Sequence, residues 1–93
     1  MRINPDLMAD IHDINFWLGI PDSRLEAILD HTYGYFLFDD SRSEQTLQQI
    51  FRCLKPGGYL EIDHFLKESN VQMLRQVGFV VEDGVTKVAR KPQ

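Results

Sequence analysis

Three histidines and a lone cysteine are the side chains of this sequence whose types could do chemistry. Imidazole titrates close to neutral pH, so His31 could act as a general base or polarise a substrate, and His64 could contact a substrate. The third histidine is His12. The separations of the three histidines along the chain fit no compact set of metal ligands, and we expect no metal site. Cys53 stands alone, which excludes an intrachain disulfide and favours a buried structural thiol.

The histidines and two acids lie at or near the ends of predicted strands. An apolar run ends near Asp10, a second precedes His31, and a third ends at Asp63 and His64. On open α/β sheets, ligands bind beyond the carboxyl ends of the strands, so these side chains are candidates for a common site. The predicted strands cover residues 6–11, 27–29 and 59–63.

The remaining elements complete an alternation of strands and helices. A stripe through Leu47, Ile50 and Leu54 predicts a helix that begins at a capping box in 41–44 and ends at 55–58. A second helix is predicted from a Ser69 cap to Gly78. Asp83-Gly84 then predicts a hairpin. Residues 12–22 read as irregular, and 31–38 as either loop or helix. The pattern predicts an α/β fold, a mostly parallel sheet with a C-terminal antiparallel hairpin.

The length and charge of the chain exclude some classes of binding partner. The chain has 93 residues and a formal net charge of −4, which suits a single domain over 1–93. Lys and Arg form no phosphate-binding stripe, so we expect no nucleic-acid partner. No apolar run is long enough to span a bilayer, and no signal peptide is evident, so we expect a cytoplasmic protein without a membrane partner.

Two stretches resemble class I S-adenosylmethionine-dependent methyltransferases. The segment 50–62, IFRCLKPGGYLEI, is similar to the helix, Lys-Pro-Gly-Gly turn and fifth strand of that family, with an arginine three residues before the lysine. The segments 6–16, 22–28 and 30–36 are similar to three motifs of small methyltransferases of this kind. The resemblance covers nearly the whole chain.

The resemblance implies a Rossmann-like fold and S-adenosylmethionine as the cofactor. It implies that the Asp10 carboxylate accepts from the adenine amine, while the backbone N–H of Ile11 donates to a ring nitrogen. It also implies cofactor contacts for His12 and Asp30 and a catalytic role for His31. From the residues alone, Asp10 could instead cap the following loop, and His31 could be a hydrogen-bonded structural histidine.

The sequence also departs from the family. The chain carries no first strand with a Gly-rich turn and no second strand ending in an acid; Gly34 and Tyr35 replace a family Glu and His. The chain therefore corresponds to strands 3 to 7 of the family sheet, whose full order is 3-2-1-4-5-7-6. Either strand 3 moves across to pair with strand 4, or strand 4 has an exposed edge that must be covered. The exposed edge and the small core lead us to expect a homodimer or higher homo-oligomer.

Three hypotheses about function follow. The chain is a truncated or degenerate methyltransferase with little activity alone, a working methyltransferase completed by another polypeptide, or a non-catalytic oligomerisation or regulatory module on the same scaffold. Whether it is an enzyme is left open at this point, and the sequence names no methyl acceptor.

Overall fold

The computed structural model describes residues 11–30, 35–62, 66–81 and 88–93. Within these ranges the chain alternates short helices with three strands of one sheet. The elements, in chain order, are α1 (Ile14–Leu18), β1 (Leu25–Asp30), α2 (Tyr35–Phe38), α3 (Ser43–Cys53), β2 (Leu54–Ile62), α4 (Glu68–Val77) and β3 (Val88–Arg90).

Helix α1 corrects the prediction that 12–22 is irregular. The Asp13 side chain caps it by accepting from the backbone N–H of Asn15 over 3.0 Å. Trp17 of this helix is only 1% exposed. A five-residue helix has no periodic signature of its own, so a capping acid and one buried aromatic side chain determine it.

Strands β1 and β2 form the parallel pair that the pattern predicted. Ile28 pairs with Leu60, and Asp30 pairs with Ile62. Strand β2 begins at Leu54, five residues before its predicted start, because the chain enters the sheet directly after α3. The pairing shifts register between Leu25 and Ala27, which accommodates the Pro-Gly-Gly segment.

The two longer helices lie where they were predicted, but their caps differ. Helix α3 begins at Ser43, and its N-cap Arg42 makes no side-chain capping bond; the Ser43 hydroxyl instead accepts from the backbone N–H of Asp40 over 3.1 Å. Helix α4 begins at Glu68, so Ser69 lies inside it and is not its cap. Gly78 ends α4 with φ +126°, as its residue type predicted.

The sheet has the order β1-β2-β3, with β3 antiparallel to β2. Val80 forms an antiparallel bridge with Arg90, in keeping with the predicted hairpin, whose turn at 83–84 lies outside the described residues. The described strands therefore form a mixed sheet in an α/β fold. The predicted strand 6–11 also lies almost wholly outside the described residues.

One hydrophobic core joins the helices to one face of this sheet. Leu60 and Ile62 of β2 and Ala89 of β3 are fully buried in it, and Phe51 packs edge-on against Phe79 at 5.1 Å between ring centres. In the described part of the chain, no helix has the length and apolar character needed to cross a membrane.

Candidate functional site

The candidate residues from the sequence fall on two parts of the structure. Ile11 and His12 precede α1, and Asp30 is the last residue of β1. Asp10, His31 and the Asp30 side chain lie outside the described residues. The structure therefore gives the surroundings of Ile11 and His12 and the backbone position of Asp30.

Two hydrogen bonds join Ile11 and His12 to buried residues of the core. The indole N–H of Trp17 donates to the carbonyl oxygen of Ile11 over 2.6 Å, and a 2.6 Å hydrogen bond joins Nδ1 of His12 to Oγ1 of Thr46. The residues Ile11 and His12 are only 8% and 5% exposed. The two hydrogen bonds and this burial hold the segment that leads into α1 against the core.

Arg52 fastens the turn between α1 and β1 to helix α3. Its Nη2 donates to the carbonyl of Trp17 over 2.7 Å, and its Nη1 donates to the carbonyl of Ile20 over 2.9 Å and to the carboxylate of Asp22. Its Nε donates to the side chain of Gln49 over 2.9 Å. This arginine is the one in the Lys-Pro-Gly-Gly motif, and the geometry gives that motif position a structural role.

The same region determines the ionisation of two groups. The hydrogen bond from Arg52 to Asp22 raises the pKa of the Arg52 guanidinium above its ordinary value, so the side chain stays charged. Burial raises the pKa of the Cys53 thiol, whose sulfur lies 4.0 and 3.9 Å from the carbonyl oxygens of Trp17 and Ile20. Cys53 is thus buried, as its sequence context predicted.

The carboxyl ends of β1 and β2 lie side by side at Asp30 and Ile62. A shallow groove of about 340 Å³ lies at the other end of these strands, around Lys55, Gly57 and Arg90. That groove is therefore separate from the strand ends at which parallel sheets bind ligands. The described ranges contain no cluster of three or more His, Cys, Asp or Glu side chains that could hold a metal ion.

Sequence reasoning missed the side chains that position Ile11 and His12. Thr46 is a polar residue on the buried side of α3, 2% exposed, and its partner His12 lies 34 residues away. A buried hydroxyl needs a hydrogen-bond partner, so Thr46 on the apolar side of a helix was a signal, although it could not name His12.

Comparisons with known proteins identify the fold. The "putative DNA modification methylase" TTHA0409 from Thermus thermophilus matches 91% of this chain with a TM-score of 0.56 and 17% identity. Its form complexed with S-adenosyl-L-methionine matches with a TM-score of 0.54 and 18% identity. The [4+2]-cyclase SpnF matches 81% of this chain with a TM-score of 0.57 and 24% identity.

The matches cover only part of the larger proteins. This chain spans 52% of TTHA0409, 54% of its complexed form and 32% of SpnF. No family model and no curated protein sequence matches the chain. At identities this low, the matches establish the fold alone. One fold can carry more than one reaction, as the matched methylase and cyclase illustrate. The chain has a methyltransferase-like fold.

Proposed function

We propose that the chain is an S-adenosylmethionine-dependent methyltransferase-like protein, corresponding to strands 3 to 7 of the class I fold, with little methyl transfer by itself. The observation that supports this most is the sheet. The order β1-β2-β3, with the Val80 segment bridged to Arg90, reproduces the family order 4-5-7-6 in both sequence and direction.

The cofactor surface that we propose is a partial one. Trp17 donates to the Ile11 carbonyl and the His12 ring is hydrogen-bonded to Thr46, so the conformation of this segment is fixed, and we infer that its backbone N–H groups contact the ligand. We assign Ile11 and His12 this backbone role, with Asp10 and Asp30 as the flanking acids. When bound, S-adenosylmethionine supplies an electrophilic methyl group.

His31 is our candidate catalytic residue because it directly follows the carboxyl end of β1. An imidazole at that place could take a proton from a methyl acceptor near the cofactor. The acceptor would approach over the strand ends at Asp30 and Ile62, which lie side by side.

The partial surface sets the expected affinity. A complete site with a dissociation constant of about 1 μM corresponds to about −8 kcal/mol, and losing half of that free energy leaves about 1 mM. We therefore expect isothermal titration with S-adenosylmethionine, and with S-adenosylhomocysteine, to show no saturable micromolar binding.

The same titration is repeated with the variant Asp10→Ala and with the control Asp39→Ala, which removes an exposed acid. Micromolar binding that Asp10→Ala weakens and Asp39→Ala does not would contradict the proposal, because the site would then be intact in this chain. Comparable titrations of all three proteins, without saturation, support it.

A non-catalytic oligomerisation or regulatory module is the second candidate. The open face of the sheet described below favours it, since a surface that binds protein needs no cofactor. A titration with S-adenosylhomocysteine followed at the amides of Ile11, His12 and Asp30 separates the two: ligand-induced shifts there support the methyltransferase-like protein, and their absence leaves the module.

A further inference from the structure

Among the described residues, the helices leave one face of the sheet uncovered. Side chains that alternate with the buried Ile28, Leu60 and Ala89 point away from the core. Of these, Leu29 is 41% exposed and Val80 is 54% exposed. We call this surface the open face; its members are Ala27, Leu29, Tyr59, Glu61, Val80, Val88 and Arg90.

The dimensions of the molecule agree with a two-layer structure. Its extents are 36 × 27 × 20 Å, and a sheet with one layer of helices accounts for the shortest of them. The broad side that the two longer extents span is about the size of the roughly 800 Å² per partner that a stable interface buries, and the open face forms part of that side.

The open face carries an acidic and a basic side chain, Glu61 and Arg90, whose charges are complementary between two copies of the chain. Tyr59 is paired with Arg90, whose guanidinium lies 5.4 Å from the tyrosine ring centre, and Glu61 lies two residues along β2. In the described part of the chain no ion pair involves Glu61. A two-fold axis in the plane between two such sheets, placed midway between the two side chains, would bring Glu61 of each copy to Arg90 of the other.

We propose that the open face is a homodimer interface, in which two sheets pack face to face. Leu29, Val80 and the Tyr59 ring supply its apolar area, and the reciprocal Glu61–Arg90 pairs fix its register. The surface differs from the strand edge through which the sequence led us to expect an oligomer. The inference does not depend on cofactor binding, so the two proposals can fail separately.

Sedimentation velocity over a range of protein concentrations tests this interface. We expect a species of twice the 10.8 kDa chain mass. Glu61→Arg and Arg90→Glu, made singly, place like charges together and should each raise the dimer dissociation constant at least about tenfold. The double variant restores the opposite pairing and should recover most of the loss.

Two further variants keep the test decisive. Leu29→Lys places a charge in the apolar area and should also give monomer. Glu44→Arg, which matches Glu61→Arg in charge change but lies at an exposed position of α3, should leave the dimer intact. The fluorescence of buried Trp17 reports whether each variant is folded. A folded monomer at every concentration, or a dimer that the open-face variants do not weaken, would overturn the proposal.

Discussion

The structure predicts that Arg52→Ala destabilises the protein far more than its partly exposed position implies. The guanidinium donates to the backbone carbonyls of Trp17 and Ile20, and truncation removes this donor from both, while the Trp17 carbonyl keeps the backbone N–H of Ile20 at 2.9 Å. A hydrogen bond from a charged group contributes about 1.5–3 kcal/mol when buried. The Arg52 side chain is 27% exposed and the Asp22 side chain is 75% exposed, so solvent screening lowers the free energy that we assign to the hydrogen bonds and to the ion pair.

The expected loss is about 2–3 kcal/mol of unfolding free energy. A chain of this size has only about 5–14 kcal/mol in total, and the loss corresponds to a fall in Tm of about 10–20 °C. Urea unfolding followed by the fluorescence of Trp17, the only tryptophan, measures it. All variants are compared at one protein concentration, because self-association shifts the apparent stability.

Two matched variants separate the effect of the hydrogen-bonding geometry of Arg52 from the effect of its charge. Arg24→Ala removes the same charge from an exposed side chain, and it should change the unfolding free energy by less than about 0.5 kcal/mol. Arg52→Lys keeps the charge but not the planar fork, so it should recover less than half of the loss. If Arg52→Ala proves no worse than Arg24→Ala, or lysine restores full stability, the role given to Arg52 is refuted.

Three further outcomes follow. Gly58→Ala should lower the urea midpoint, because a Cβ added at Gly58 meets two carbonyl oxygens at 2.9 Å. Gly19→Ala should leave the midpoint unchanged, because a Cβ added at Gly19 makes only ordinary van der Waals contacts. The hydrogen bond from the Arg42 side chain lowers the pKa of Asp40 from 3.8 to about 2, so its stabilisation is complete above pH 4 and is lost as pH falls toward 2. Urea midpoints of Asp40→Asn should therefore fall less between pH 4 and 2 than those of the parent. Cys53 should react with a thiol reagent only as fast as the chain opens, so its labelling should accelerate in urea; rapid labelling of the native protein would contradict its burial.

The longer elements could be predicted because their sequence signals agree with their packing. The stripe through Leu47 and Ile50 is buried against the sheet, and Gly78 has the positive φ that its place after α4 suggested. The strand predicted at 27–29 is the centre of β1. In each case a local pattern and a tertiary contact favour the same conformation.

The missed features depend on contacts distant in sequence. Helix α1 is held by the bond from Trp17 to Ile11 and by Arg52, which lies 35 residues from Trp17. The burial of His12 depends on Thr46, so sequence reasoning could propose His12 as a contact but not its surroundings. Cofactor binding, the catalytic role of His31 and a cytoplasmic location remain predictions.

The most direct test of a partial cofactor surface is a titration of the ¹⁵N-labelled chain with S-adenosylhomocysteine, followed residue by residue in amide spectra. We predict shifts at Ile11, His12 and Asp30 that grow without saturating into the millimolar range. Saturation at micromolar ligand would show a complete site in this chain. The absence of any shift at these amides at millimolar ligand would show that no part of the site survives, and either result would contradict the account.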